Sequence, residues 1–431
     1  MTPAPTSIDT APPAPPEVAA PDDAPDDAPG LRESTLYLMA AACGTGAANI
    51  YYNQPLLGDF AKYFHATENQ VGLVATAAQV GYGLGMLFFV PLGDLIERRK
   101  VVLTLVYICT LLLVATAASP TLWTLVVLQG LVGVTCMSAQ LLIPLAVDLS
   151  PPEKRGHTVG VMLAGLLCGL LGARTLGGIV GDHLGWRAMF AMAAGIMLVT
   201  GVVLQIVLPR RRPSVSMPYW RLMRSLGDLV RTQPVLRVSS FVSGCSFGAF
   251  IAFWTVLSFL MRDHFHRGAT EAGLFGLVGL AGAAVAPLAG KLSDRRGPTF
   301  TVTLAMLLSI AAFVGMAAWV SIPGLILGVL LLDLGVQSIQ VAAQSEVMSL
   351  VPEARSRINT VYMVARFIGG AAGSALGTLA YSHGGWTGTC VAAIGALLVG
   401  GIYHAWATPN GALRVAVASV GMIKSARQSR P

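Results

Sequence analysis

The sequence predicts an all-α membrane protein of twelve transmembrane helices, set out as two six-helix pseudo-repeats around a central cavity. Three observations carry this: the composition, the length of the apolar runs, and a set of matches at one constant offset. Of 431 residues, 54% are apolar and only 11% charged, and the mean hydropathy is +0.68. A soluble domain carries about a quarter charged residues. This chain has too few to cover a water-facing surface, whereas a lipid-facing surface needs no such cover.

Apolar runs long enough to cross a bilayer, about 20 residues each, lie near 35–57, 70–92, 100–118, 121–147, 158–181, 188–208, 236–260, 272–290, 300–319, 323–348, 358–381 and 388–407. Lipid offers no hydrogen bonds, so backbone polar groups must be satisfied within each segment. Long continuous runs therefore read as helices, not as the short alternating strands of a barrel. The bases set the orientation. Arg98, Arg99 and Lys100, Lys154 and Arg155, Lys291, Arg295 and Arg296, and Arg355 and Arg357 fall in one set of loops. The other set holds Lys62, Arg187, Arg262 and Arg267. Both termini are accordingly expected in the cytoplasm.

The expected organisation is a disordered tail over 1–33, a six-helix half over 34–208, a basic linker over 209–235, a second half over 236–408 and a tail over 409–431. The first tail is rich in Pro, Ala and Asp and cannot bury enough apolar area to order itself. The linker carries Arg210, Arg211, Arg212, Arg221, Arg224 and Arg231 against Asp228. It reads first as a solvated, topology-fixing connection. Trp220, Leu222, Met223, Leu226 and Leu229 offer a second reading, a short amphipathic helix on the inner leaflet.

The halves match at an offset of 200: Asp94 with Asp294, Gln140 with Gln340, Arg155 with Arg355, Gly169 with Gly369, Gly177 with Gly377, and Gly185-Trp186 with Gly385-Trp386. Parallel repeats of this kind enclose a cavity with substrate near the midplane. No phosphate-binding loop pattern is present, which leaves a gradient as the driving force. The six cysteines form no CxxC pair and sit in apolar runs, so they read as packing residues, not as a disulfide scaffold or a zinc site. His264 and His266 read as solvated surface. No cofactor, metal or nucleic acid is implied, and no nucleophile–base pair or carboxylate dyad within a span suggests an enzyme.

Gly290-Lys-Leu-Ser-Asp294-Arg295-Arg-Gly297 resembles the cytoplasmic loop motif of the major facilitator superfamily, and Asp94-Leu-Ile-Glu-Arg98-Arg99-Lys100 resembles its other copy. The resemblance implies that the Asp pairs with loop arginines and holds the halves in one state. In the second copy Val90 stands for the usual first Gly and Glu97 for the later one. The run Asn49-Ile-Tyr-Tyr52-Asn53-Gln54-Pro55, Arg174 and Asp333-Leu-Gly-Val-Gln337 resemble a bacterial subgroup close to the drug:proton antiporters. The arginine usual in span 4 is absent here, where Val126 precedes Gln129-Gly130. Arg174 is the candidate to stand in for it.

Charges in mid-membrane are costly and mark function. Asp333 is expected to bind and release a proton or to pair with a cationic substrate. Arg174 is expected to hold an anionic group or to set the pKa of a nearby carboxylate, and Arg366 to serve the cavity or the inner gate. Gln337, Gln340, Gln140, Asn49, Asn53, Tyr52 and Gln79 are expected on cavity faces, Asn49 and Asn53 sharing one face by their spacing of four. Asp94, Arg98, Arg99, Asp294 and Arg295 are the gating-loop candidates. Asp148 with Arg155 and Glu346 with Arg355 are candidate inner-gate pairs. The chain is expected to be a monomeric solute:proton antiporter in a bacterial inner membrane, its partners a small-molecule substrate, protons and lipid. Proton-linked uptake and a transporter-like sensor are the alternatives.

Overall fold

The structure is a computed structural model that describes residues 32–209, 218–283, 286–351 and 354–407. Most of the expected terminal tails lies outside these residues, as do Pro352, Glu353 and the side chain of Asp94. Among the described residues the regular structure is helical throughout. In chain order come α1 (Glu33–Ala48), α2 (Asn53–Phe64), α3 (Glu68–Leu95), α4 (Arg98–Ala117), α5 (Leu122–Thr135), α6 (Ser138–Asp148), α7 (Arg155–Leu184) and α8 (Trp186–Val207). They are followed by α9 (Tyr219–Thr232), α10 (Pro234–Asp263), α11 (Ala269–Ala283), α12 (Ala286–Arg296), α13 (Pro298–Ala318), α14 (Ile322–Met348) and α15 (Arg355–Ala407). Nine helical stretches among the described residues are long and apolar enough to cross a membrane.

The first expected span is broken. α1 stops at Ala48 and α2 starts at Asn53. Pro55 explains the position: its ring has no N–H to give, and in a continuous helix it would collide with the Tyr51 carbonyl four residues back. The Asn49 side chain strengthens the stop by donating to the carbonyls of Thr45 (3.0 Å) and Gly46 (3.2 Å). The fourth expected span is likewise interrupted at Cys136-Met137, between α5 and α6. The last two expected spans fall within α15, divided only by Gly385, whose φ of 57° and ψ of −150° suit glycine alone.

The linker departs from its first reading as a solvated connection. Residues 219–232 form α9, with Leu222 and Leu226 buried. Tyr219 donates to the Phe88 carbonyl (3.0 Å), and Leu229 packs against the cluster of Leu236, Ala343, Val347 and Tyr362. The apolar face of this helix therefore rests on the bundle, while Trp220 stays exposed.

α10 is buried on nearly every side, while α4, α8 and α13 turn Leu111, Ile206 and Leu307 outward. The helices meet closely where glycines face each other. Gly44 of α1 packs on Gly165 and Gly169 of α7, and Gly244 and Gly248 of α10 pack on Gly369 and Gly373 of α15. A Cβ at Gly169 would overlap the Gly44 backbone, and one at Gly369 would overlap Gly244. Small residues permit this approach, and both contacts lie 200 residues apart.

Candidate functional site

A cavity of about 290 Å³ runs between α1, α3, α6 and α7 on one side and α10, α14 and α15 on the other. Its lining includes Asp333, Gln337, Gln340 and Gln344 from α14, Arg366 from α15, Gln140 from α6, Tyr82 from α3, and Tyr51. It extends to Leu163 and Met363, each about two turns from Arg155 and Arg355, where the basic connections lead into α7 and α15. Apolar walls come from Leu166, Leu170, Phe247, Phe250 and Phe367.

The polar lining is ordered. Gln140 donates to the Tyr82 hydroxyl (3.3 Å) and Gln344 to Asn359 (2.9 Å). Arg366, only 4% exposed, donates to Ser243 (3.1 Å) and lies over the Phe247 ring at 4.2 Å. Asp333 is 4% exposed, and its Oδ2 has no hydrogen-bond partner within the protein. Gln337, one turn on, shares its face.

The wall opposite the basic connections is sealed. Ser258 of α10 donates to the Pro55 carbonyl (2.9 Å) and accepts from the Gly58 amide (3.0 Å). Thr175 of α7 donates to the Gly273 carbonyl of α11 (3.0 Å), and Asp182 accepts from the amides of Ala269 (3.0 Å) and Thr270 (2.6 Å) at the start of α11. Arg262 pairs with Glu68 across the same end at 2.8 Å.

The expected cavity residues divide. Asp333, Arg366, Gln337, Gln340 and Gln140 are brought together in the lining. Asn49, Asn53, Tyr52, Gln79 and Arg174 are not part of it. Asn53 donates to Gln129 (2.8 Å) inside the first bundle, and Asn49 is spent on the α1 terminus. Tyr52 is buried beside Cys109 and Cys136, and Gln79 is buried beside Tyr51. The break after Ala48 turns Asn49, Tyr52 and Asn53 away, so the helical spacing of four does not hold across it. Tyr51, which that spacing passed over, reaches the cavity instead. Arg174 lies behind an aromatic layer, its guanidinium 4.0 Å from the Trp254 ring and 4.7 Å from the Tyr51 ring. Its Nε donates to Gln54 (2.8 Å). It is within electrostatic reach of Asp333, but no ion pair within 4 Å joins them.

The gating candidates pair differently from expectation. Asp148 bonds Arg98 at 2.7 Å, not Arg155, because Arg98 at the start of α4 faces the end of α6. Glu346 accepts from Ser239 (2.9 Å), while Arg355 donates to the Met348 carbonyl (3.3 Å), so the expected Glu346–Arg355 pair is absent. Arg99 donates to the Gln205 carbonyl (2.6 Å). Asp294, Arg295 and Arg155 are exposed.

The chain is similar to known proteins along most of its length. It is 36% identical over 366 residues to the uncharacterized transporter YgaY of Escherichia coli O157:H7, covering 84% of this chain and 92% of that one. A probable sugar efflux transporter of Helicobacter pylori is 25% identical over 334 residues, 75% of this chain and 82% of its own. Among solved structures, a bacterial homolog of the human lysosomal transporter Spinster, inward-facing and occupied, superposes with a TM-score of 0.68 at 15% identity, covering 88% and 97% of the two chains. The family profile of the Major Facilitator Superfamily matches residues 36–374 and 240–416. With its apolar helices and its cavity at their centre, the chain belongs to the Major Facilitator Superfamily, whose members are multi-pass membrane transporters, not enzymes.

Proposed function

We propose that the chain exports a small polar organic solute across a bacterial inner membrane by alternating access, in exchange for protons, as a monomer. With α9 set aside as the linker, joining α1 to α2, α5 to α6 and α11 to α12 and dividing α15 at Gly385 gives twelve spans in two sets of six, with both termini cytoplasmic as the bases require. The basic end is then the cytoplasmic one, and the cavity faces inward. The observation that carries the reading is the cavity lining. In a chain with few charges, a carboxylate, a guanidinium, four glutamines and two phenols converge on one space. Neutral amides and phenols both donate and accept, which suits a hydroxylated solute. The sugar efflux name of the Helicobacter pylori relative supports export of such a solute.

Asp333 is the proton carrier in this reading. It is buried, has no ion-pair partner within 4 Å among the described residues, and lies at the inner limit of the cavity next to the sealed layer. A proton arriving from outside neutralises it, and solute entering from the cytoplasm favours its release. Everted membrane vesicles with a respiration-driven acid interior test this. With a panel of sugars and polar metabolites, at least one solute collapses the gradient with the native chain and not with Asp333→Asn. Equal collapse by both forms removes Asp333 from the proton path. Collapse by neither removes antiport and leaves proton-linked uptake as the reading to test.

A further inference from the structure

A second, small cavity of about 10 Å³ lies in the sealed layer, lined by Gln54, Arg174, Trp254 and Ser258 with apolar neighbours. It shares no lining residue with the central cavity. Its polar inventory is one-sided. Arg174 Nε is satisfied by Gln54 Oε1, and Ser258 is satisfied by Pro55 and Gly58. Arg174 Nη1 and Nη2, Gln54 Nε2 and Trp254 Nε1 have no partner within the protein, and all are donors. Arg174 and Gln54 are each 1% exposed and Trp254 is 2% exposed. The rings of Trp254 and Tyr51 lie over the guanidinium and leave its in-plane N–H groups free to bond.

The geometry points to a binding site for one small monovalent anion of the chloride type, held by Arg174, Gln54 and Trp254. Water fits this inventory poorly. It accepts only two hydrogen bonds, fewer than the four groups here that have a proton to give and no partner. A halide accepts from all four donors and also neutralises a charge that is costly in mid-membrane without a partner. Volume sets the class, because space of about 10 Å³ holds one water-sized particle and no organic solute. The ion would sit where α2 and α7 meet α10 and α11, so its coordination exists only while the sealed end is closed. A ligand with that preference stabilises the closed arrangement. The lining favours an anion whichever solute is carried.

The test uses the full purified chain in detergent, with its thermal unfolding midpoint followed as sodium chloride or bromide replaces sodium gluconate at constant ionic strength. Gluconate is too large for the cavity. The expected result is a saturable rise of the midpoint with chloride and bromide, lost in Arg174→Gln. Trp254→Phe removes one donor and raises the half-effect concentration roughly tenfold. Equal midpoints in chloride and gluconate for the native chain overturn the site, as does a saturable rise that survives Arg174→Gln. If Arg174→Gln fails to fold, Trp254→Phe decides alone, and an unchanged half-effect concentration overturns the site. None of these outcomes depends on vesicle transport, so a failed transport assay leaves them standing.

Discussion

Residues 33–208 and residues 234–407 are built on the same glycine contact but carry different chemistry. Gly44 meets Gly169 in the first region as Gly244 meets Gly369 in the second. The charged groups at the cavity have no such correspondence. The position 200 before Asp333 is Gly133, and the position 200 before Arg366 is Leu166. Backbone packing has been kept on both sides while ionisable groups were confined to one. That division is physically sensible: a helix contact tolerates one size of side chain, whereas duplicated like charges around one cavity would repel each other.

The largest effect should come from the shared feature. Gly169→Val and Gly369→Val each force side-chain atoms into the backbone of a neighbouring helix, an overpacking cost of several kcal/mol for contacts that cannot yield. Both variants should lose most folded protein by size-exclusion chromatography. Gly160→Val, at a site with nothing within 4 Å, should not. Tolerance of one seam variant and not the other would break the correspondence between the regions. Next come the unmatched positions. Arg366→Leu should abolish transport of any solute active in the vesicle assay, while Leu166→Gln, at the matching place in the lining, should keep most of it. Equal losses would mean that the chemistry is not confined to one side.

Smaller effects follow at the ends of the bundle. Asp182→Ala removes the acceptor at the start of α11 and should cost about 1 kcal/mol in thermal unfolding. Ser382→Ala, at the matching place, should cost far less, because Ser382 bonds only the Leu379 carbonyl and the neighbouring His383 ring, both in its own helix. A small effect is also expected from Arg98→Ala, which removes the pair with Asp148 and a hydrogen bond to the Gly93 carbonyl. Its partner Asp148 is 55% exposed, and such pairs contribute about 1 kcal/mol or less. This loss should shrink further in high salt.

Much of this was legible in the sequence. The apolar runs marked where the long helices lie but not the interruptions within the first and fourth of them, and the buried charges Asp333 and Arg366 led to the cavity without reference to any fold. Reading failed where a helix stops. Asn49 and Asn53 were placed on one face by a rule that assumes unbroken helix, yet Pro55 was the available signal that Tyr51 begins a new direction. Arg174 was recognisable as costly, but its aromatic cover comes from α10, 80 residues away in sequence, and no local pattern encodes that. The choice of Arg98 over Arg155 by Asp148 depends on how α4 and α6 converge, which spacing does not specify. α9 was readable as amphipathic, but its apolar face could serve lipid or protein equally well, and only packing decides.

The carboxylate of Asp182 completes the first turn of a helix from which it is separated by 87 residues. Parting the sealed end would therefore strip the Ala269 and Thr270 amides of their acceptor in the same event, leaving them to solvent. Hydrogen–deuterium exchange at those two amides would then count openings directly, whatever the transported solute. A stretch of backbone at the rim of the bundle thus doubles as a built-in recorder of how often, and for how long, the far side is unsealed.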